Sequence, residues 1–304
     1  MKRAVLKLLG RLYMENKLEV CKKTKQIALK ALANTFKMLL SKDRVSEVMF
    51  RDSWLRELRK SAKIFPNGWY VPPPCGIITL FATDTDPGRI LHPNMRLEET
   101  WPRDDIYLDK NHGLIALYAS PVDRATGIIG DTELMIYLGN NKEVINGFKS
   151  CIRINKEVFE FIKMGQKFCD VAKFANDLMD KRGLENNVIS TNDPASVNIG
   201  HTIPVTYEDW TKTEKAILKN GDHNWQNVCQ MISKRRIFIN EQEEFQVRAP
   251  MAFTIEPRAR VKGRPDLPGT WTHSIALFDN NGRKELFFGY EEIFRICRMG
   301  WALD

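Results

Sequence analysis

The feature that most constrains the fold is a switch in hydrophobic period along the chain. After Gly76 come three short apolar runs, GIITLFAT, GLIALYASPV and TELMIYLG, each bounded by turn-forming residues and the last closed by Gly139-Asn140-Asn141. Two stretches with helical spacing follow, NKEVINGFKSCIRINKEVFEFIKMG and QKFCDVAKFANDLMDKRG, ending at Gly165 and Gly183. Beyond Asn198 strand signals return in QVRAPMAFTIEPRARV, HSIALFD and KELFFG. The last two flank Asp279-Asn280-Asn281-Gly282, a strong hairpin turn. Strands, two helices, then more strands predict an α+β domain rather than a regular parallel sheet. The chain has 304 residues with 43% hydrophobic content, enough to bury one large core. It contains no GxGxxG or Walker-type loop, so nucleotide binding has no support.

The N-terminal part reads differently. From Val5 to about Lys63 apolar residues recur at helical spacing, as in IALKALANTFKMLL and VSEVMFRDSWLRELRKSAKIF, with Ser41 and Asp43 offering a helix start before the second run. NGWYVPPPCG then breaks the pattern, because three consecutive prolines remove backbone donors and favour extended geometry. The expected division is a helical N-terminal extension over 1–66 and a main domain over 67–304.

The formal net charge is +8, with much of the excess before Lys63. A helix with one wet basic face accounts for it, and no zinc-finger spacing, heptad run or aromatic RNA-binding signature points to a nucleic-acid partner. The six cysteines are scattered without a CxxC pair, which predicts reduced thiols in a cytoplasmic setting. MKRAVLKLLGRLYMENK begins like a signal peptide, but Lys7 and Arg11 interrupt its apolar stretch, and no run approaches a membrane span.

Four places put a potential ligand on or beside an expected strand. They are Asp131 in IIGDTELMIYLGN, His201 in VNIGHTIP, Glu256 in MAFTIEPR and the pair Glu291-Glu292 in FFGYEEIF. Carboxylates among apolar strand residues are costly to bury unless they meet a cation or a partner. One imidazole with several carboxylates suits manganese, iron, cobalt or zinc. Each residue also has a structural explanation. His201 can be a turn or core histidine, Asp131 a turn residue, Glu256 the partner of Arg258, and Glu291-Glu292 a solvated strand end.

Taken together, the motifs resemble the creatinase, methionine-aminopeptidase and proline-dipeptidase family. GDTELMIYLG is similar to its Asp-bearing strand, NIGHTIP to its Gly-His motif and MAFTIEPR to its apolar-Thr-Ile-Glu-Pro strand, while YEEIF falls where the family places a final Glu. The motifs occur in family order and cover about Trp69 to Leu303. The resemblance implies the pita-bread fold, a curved antiparallel sheet flanked by helices, with metals in its concave face. It also implies that Asp131 and the final Glu bridge two metals, with Glu292 preferred over Glu291, while His201 and Glu256 complete one shell.

Two family positions are not matched. The first Asp is expected near Tyr118 to Ser120, where there is none, and Asp123 lies past the strand. The second His, in a His-Glu-Pro context, is also missing, with Tyr207-Glu208 in roughly that place. The resemblance therefore implies a reduced centre, with one divalent metal ion per chain rather than two. Among the remaining histidines, His273 and His92 rank ahead of His112 and His223 as catalytic candidates. The stretch Tyr207 to Ala249 could act as a lid or substrate wall over the cleft, while the alternative, which is favoured, makes its Lys234-Arg235-Arg236 run a solvated edge.

The leading expectation is a metal-dependent hydrolase acting on a C–N bond of a small peptide or amide-like substrate. A non-catalytic pita-bread binding module is the alternative, and a mononuclear-iron oxidoreductase on the same fold is a weaker one. A homodimer is compatible with either.

Overall fold

The computed structural model describes residues 2–70, 73–91, 101–187, 193, 195 and 197–303, with side chains from Lys17 onward. Three strands, β1 (Ile77–Thr83), β2 (Gly113–Ala119) and β3 (Thr132–Tyr137), form an antiparallel sheet in which Ile77 pairs with Ala119 and Leu114 with Tyr137. Every residue of β2 and β3 is buried. That is why their sequences read as unbroken apolar runs rather than as alternation.

Helices α3 (Lys142–Phe161) and α4 (Phe168–Asp180) follow. The Asn141 side chain caps α3 by accepting from the Glu143 N–H, satisfying one of the donors a helix start leaves open. Both helices turn one apolar face inward, where Val158, Phe168 and Val171 pack in a core with Phe253 and Phe278. The chain continues through β4 (Leu184–Asn186), α5 (Lys212–Lys219), α6 (Trp225–Arg235), β5 (Met251–Ile255) and β6 (Ala259–Val261). It then forms β7 (Ser274–Phe278), β8 (Lys284–Phe287) and α7 (Glu291–Ile296). Strands β5, β7 and β8 make a second antiparallel sheet, and β4 pairs with β6.

The two larger sheets meet where β3 runs beside residues 271–273. Met135 N donates to the Trp271 carbonyl at 3.2 Å and His273 N to the Glu133 carbonyl at 2.8 Å. On the other side, residues 199–203 run along β5, with Thr254 N donating to the His201 carbonyl at 2.9 Å. These pairings bring four separate parts of the chain to one place.

The N-terminal helices, α1 (Lys2–Leu39) and α2 (Glu47–Leu58), share a core with the first sheet. Ala28, Leu32, Phe36, Phe50 and Trp54 cluster with Leu80, Phe81 and Leu114, so the hydrophobic packing is continuous across residue 66. The start of α2 differs from the expectation at Ser41 and Asp43. Ser46 is the cap, extended at φ −85° and ψ 162°, with its side chain accepting from Met49 N. Among the described residues no helix is long and apolar enough to cross a membrane.

Candidate metal centre

The strand register assembles the centre. Because Ile255 pairs with Ser274, the next residues along, Glu256 and His273, lie opposite one another. Leu134 bridges Thr272, so Glu133 meets the same histidine from β3. Side chains two apart on a strand share a face, and Asp131 therefore points the same way as Glu133. His201 arrives on the segment paired with β5, its backbone N–H donating to Thr254 Oγ1 at 2.9 Å.

The resulting contacts are short. His201 Nε2 lies 3.2 Å from Asp131 Oδ2, His273 Nδ1 lies 3.0 Å from Glu256 Oε2, and His273 Nε2 lies 2.9 Å from Glu133 Oε2. One ligand atom each from Asp131, His201 and Glu256 falls within 4.8 Å of the others. All these side chains are buried except Glu256, whose side chain keeps 12% exposure.

The residues present fit a metal ion. Both Asp131 oxygens, Glu256 Oε2 and both His273 ring nitrogens are shielded from water and lack an aligned hydrogen-bond partner, although they approach one another closely. Two donors that share an ion at about 2.0–2.2 Å stand about 3 to 3.5 Å apart, which is the spacing seen between Asp131 and His201. His201 is also oriented as a ligand. A carbonyl can only accept, so the 2.9 Å contact from His201 Nδ1 to the Thr202 carbonyl places the proton on Nδ1 and turns Nε2 towards Asp131.

The charges are strongly interdependent. Burial alone would raise the Asp131 carboxyl, but the His201 and His273 rings outweigh it and hold the group well below the usual range. Burial is likewise outweighed at Glu256, which His273 and His201 hold at about 2. The His273 ring would lose its proton through burial, yet Glu256 and Glu133 raise it well above the ordinary imidazole value. Glu133 is lowered by Arg258 and His273 against its own desolvation.

The structure brings Asp131, His201, Glu256 and His273 together and leaves other expected residues apart. Glu291 and Glu292 do not join them. Gly289, at φ +81°, turns the chain out of β8, and both glutamates fall in the first turn of α7 rather than on a strand. There they face the positive end of the helix dipole. Glu292 is 61% exposed and pairs with Lys37 at 2.6 Å.

Asp123 does not double back either. Its Oδ1 accepts from the backbone of Ala125 and Thr126 and from the Thr126 hydroxyl, closing a turn. Tyr118 stands opposite Glu133 in the β2–β3 register, where burial and Asp131 raise its hydroxyl well above the usual phenol value and keep it protonated. His112 and His223 are exposed, and His92 lies outside the described residues.

Of the Lys234-Arg235-Arg236 run only Lys234 is exposed, and the two arginines are engaged rather than forming a solvated edge. Arg235 bridges Glu208 (2.8 Å) and Glu214 (2.7 Å). The Arg236 guanidinium is held 4.4 Å from the Trp69 ring centroid and 4.8 Å from that of Phe238, with Nε buried and unpaired. Beside it, Trp69, Tyr70, Pro73, Pro74 and α6 line a cleft of about 650 Å³.

Sequence reasoning missed three members of this neighbourhood. Glu133 was legible in principle as the second carboxylate of an alternating Asp-Thr-Glu. Arg258 pairs with Glu133 rather than with Glu256, its guanidinium 4.8 Å over the Trp271 ring. Lys25, buried on α1, had no local signal.

The arrangement has structural counterparts. The chain is similar to an X-Pro aminopeptidase from Thermotoga maritima MSB8, at 12% identity over 90% of this chain and 60% of that one, with a TM-score of 0.58. It is equally similar to a prolidase from Pyrococcus furiosus, at 14% identity over 89% and 63% of the two chains, TM-score 0.58. A methionine aminopeptidase from Rickettsia prowazekii aligns over 90% of this chain and 97% of its own, at 13% identity and a TM-score of 0.57. This is the pita-bread fold. The pita-bread sheet here is the surface where β3, residues 271–273 and β5 meet, and the candidate centre lies on it. The chain spans about 60% of the length of the first matched structures, the X-Pro aminopeptidase among them. No protein-family model and no curated protein sequence matches it.

Proposed function

We propose that the chain is a metal-dependent hydrolase that cleaves a C–N bond in a small peptide or amide-like substrate, using one divalent ion. The observation that carries this reading is the convergence of Asp131, His201 and Glu256, with buried lone pairs that face each other and lack aligned partners. The names of the pita-bread neighbours, aminopeptidases and prolidases among them, support peptide as the substrate class.

Asp131, His201 and Glu256 would hold the ion, and an ion so held supplies Lewis-acid polarisation of a carbonyl and a water acidified towards neutrality. The protein's own contribution is positioning and proton management. Thr202 fixes the His201 tautomer and ring plane. His273 sits between Glu133 and Glu256 and keeps a proton at Nδ1 or Nε2 within reach of either carboxylate. Proton transfer by an imidazole so placed contributes typically 10²–10⁴-fold. Arg236, unpaired at Nε and held between two aromatic rings, is available to a carbonyl or carboxylate of a peptide lying in the adjoining cleft.

A second reading is a non-catalytic binding module. The observation favouring it is that the carboxylates already have cations of the protein's own, Arg258 at Glu133 and Lys25 near Asp131 and Glu256. Elemental analysis separates the two. Protein purified without chelators and then incubated with manganese, iron(II), cobalt or zinc should retain about one ion per chain and hydrolyse short peptides. Glu256→Gln should abolish retention. A chain that holds no ion under any of these conditions is not the proposed hydrolase.

A further inference from the structure

The cleft beside Arg236 has two unlike walls. One is flat and apolar, made by Trp69, Tyr70 and Trp101 with Pro73 and Pro74. The other is a single face of α6, where Gln226, Cys229, Gln230 and Ser233 recur at the i, i+3, i+4, i+7 spacing of one helical stripe. The Gln226 and Gln230 side chains are exposed, and each amide offers both a donor and an acceptor.

Both walls are held in place. The Trp69 backbone N–H donates to the Ser120 carbonyl at 3.2 Å and its Nε1 to the Ser120 hydroxyl at 2.9 Å. Arg89 Nη2 donates to the Trp101 carbonyl at 3.2 Å while the same guanidinium pairs with buried Glu47, which also accepts from Arg103 N at 2.9 Å. Helix α6 is tied to the first wall at its start, where Trp225 Nε1 donates to the Gly68 carbonyl at 3.2 Å. A cleft built in advance loses little freedom when it is filled.

Two buried donors here have no hydrogen-bond partner among the described residues. They are Trp101 Nε1 and, across the Trp69 ring, Arg236 Nε. Each calls for an acceptor, so a fitting ligand carries carbonyl or carboxylate oxygens beside a flat apolar group. The cleft is also continuous with the candidate centre. Tyr70 packs against Trp69 at 5.3 Å and against Tyr118 at 5.6 Å between ring centroids, and Tyr118 stands opposite Glu133. On the other side the Phe238 ring lies 4.8 Å from the Arg236 guanidinium and 6.1 Å from the His201 ring.

Resting on the hydrolase reading above, we propose that this cleft receives an aromatic side chain of the peptide substrate, carried at or next to the bond that is cleaved, with the peptide backbone along Gln226 and Gln230. The rings set the side-chain class. An aromatic pair adds roughly a factor of 2 to 10 beyond the area it buries, so contact with two of the three rings predicts phenylalanine bound about tenfold more tightly than leucine. The amides on α6 set the rest, because a purely apolar ligand would cover them without replacing their bonds to water.

The test titrates the full chain, with chelator and no metal, against Ala-Phe-Ala and Ala-Leu-Ala by calorimetry. The expected result is at least about tenfold tighter binding of Ala-Phe-Ala. Trp101→Leu should lower that preference below threefold. Gln230→Trp, which puts a ring into the cleft from the exposed face of α6, should weaken Ala-Phe-Ala at least tenfold and carries the test alone if Trp101→Leu fails to fold by circular dichroism. Equal binding of the two peptides, or binding of neither, overturns the proposal, as does a preference unchanged in the folded variants. Adenosine monophosphate, flat and anionic but without a peptide backbone, overturns it if bound as tightly as Ala-Phe-Ala. A preference for Ala-Phe-Ala in a chain that retains no metal supports the cleft assignment and removes the hydrolase reading. Metal-dependent hydrolysis of both peptides with equal binding does the reverse.

Discussion

Replacing Arg258 by Met isolates the electrostatics of the centre from its metal chemistry. Both Arg258 and Glu133 are 6% exposed, and the pair lies in the interior with the guanidinium over Trp271. Breaking a buried pair by removing one partner costs about 3–5 kcal/mol, because the remaining charge is stranded. Losing the contact with the indole adds about 1 kcal/mol. Against a total stability of about 5–15 kcal/mol for a domain, this is a large fraction.

The deficit should depend on pH, with a definite sign. In the natural chain burial raises the Glu133 carboxyl, but Arg258 and His273 overcome this and hold it below its ordinary value. Its contribution to stability is therefore present above the ordinary carboxylate range and is lost as pH falls through the depressed folded value. In the variant burial faces only His273, so Glu133 takes up a proton more readily and the stranded charge can be discharged. The gap between natural chain and variant should be widest near pH 7 and narrow towards pH 4, measured by urea denaturation across that range. Pairing Arg258→Met with Glu133→Gln should recover part of the loss at pH 7. A deficit under about 1 kcal/mol, or one independent of pH, would refute the claim that a buried charge pair supports this part of the sheet.

Three further perturbations probe separate parts of the molecule. Gly130→Ala should cost about 3 kcal/mol or more in denaturant unfolding, since its Cβ meets the α1 backbone at 2.3 Å; near-natural stability would refute the close packing of α1 on Gly130. Glu214→Gln tests the capping box of α5, where Arg235 holds the carboxyl at about 2 against an ordinary 4.5. That depression is worth at most about 3 kcal/mol, present above pH 4.5 and lost as pH falls towards 2, so thermal melts of the two proteins should differ at pH 7 and converge near pH 2. Arg236→Met removes a guanidinium whose Nε lacks a hydrogen-bond partner, and should leave the circular dichroism spectrum intact while raising KM for a hydrolysed peptide at least tenfold. An unchanged KM would remove Arg236 from the substrate cleft.

Much of the fold was legible because its strands advertise themselves locally. The three runs before Asn141 became β1, β2 and β3, and the Asp279-Asn280-Asn281-Gly282 turn joins β7 to β8, Asp279 N donating to the Arg283 carbonyl. The misplacement of Glu291 and Glu292 came from extending a strand through Gly289, where a positive φ sends the chain into a helix instead. Lys25 was illegible for a different reason. Its role depends on a helix over a hundred residues away in sequence packing against Gly130, and neither segment carries a local mark of the other.

His273 shows how the two kinds of information meet. Its place beside a strand could be read from HSIALFD, but its partners follow from register. Residues 271–273 run along β3 while β7 runs along β5, so a single histidine faces carboxylates from both strands. In an antiparallel sheet a slip of one residue would turn His273 to the opposite face. The chemistry of the centre therefore rests less on which ligands the chain contains than on the pairings of Leu134 with Thr272 and Ile255 with Ser274.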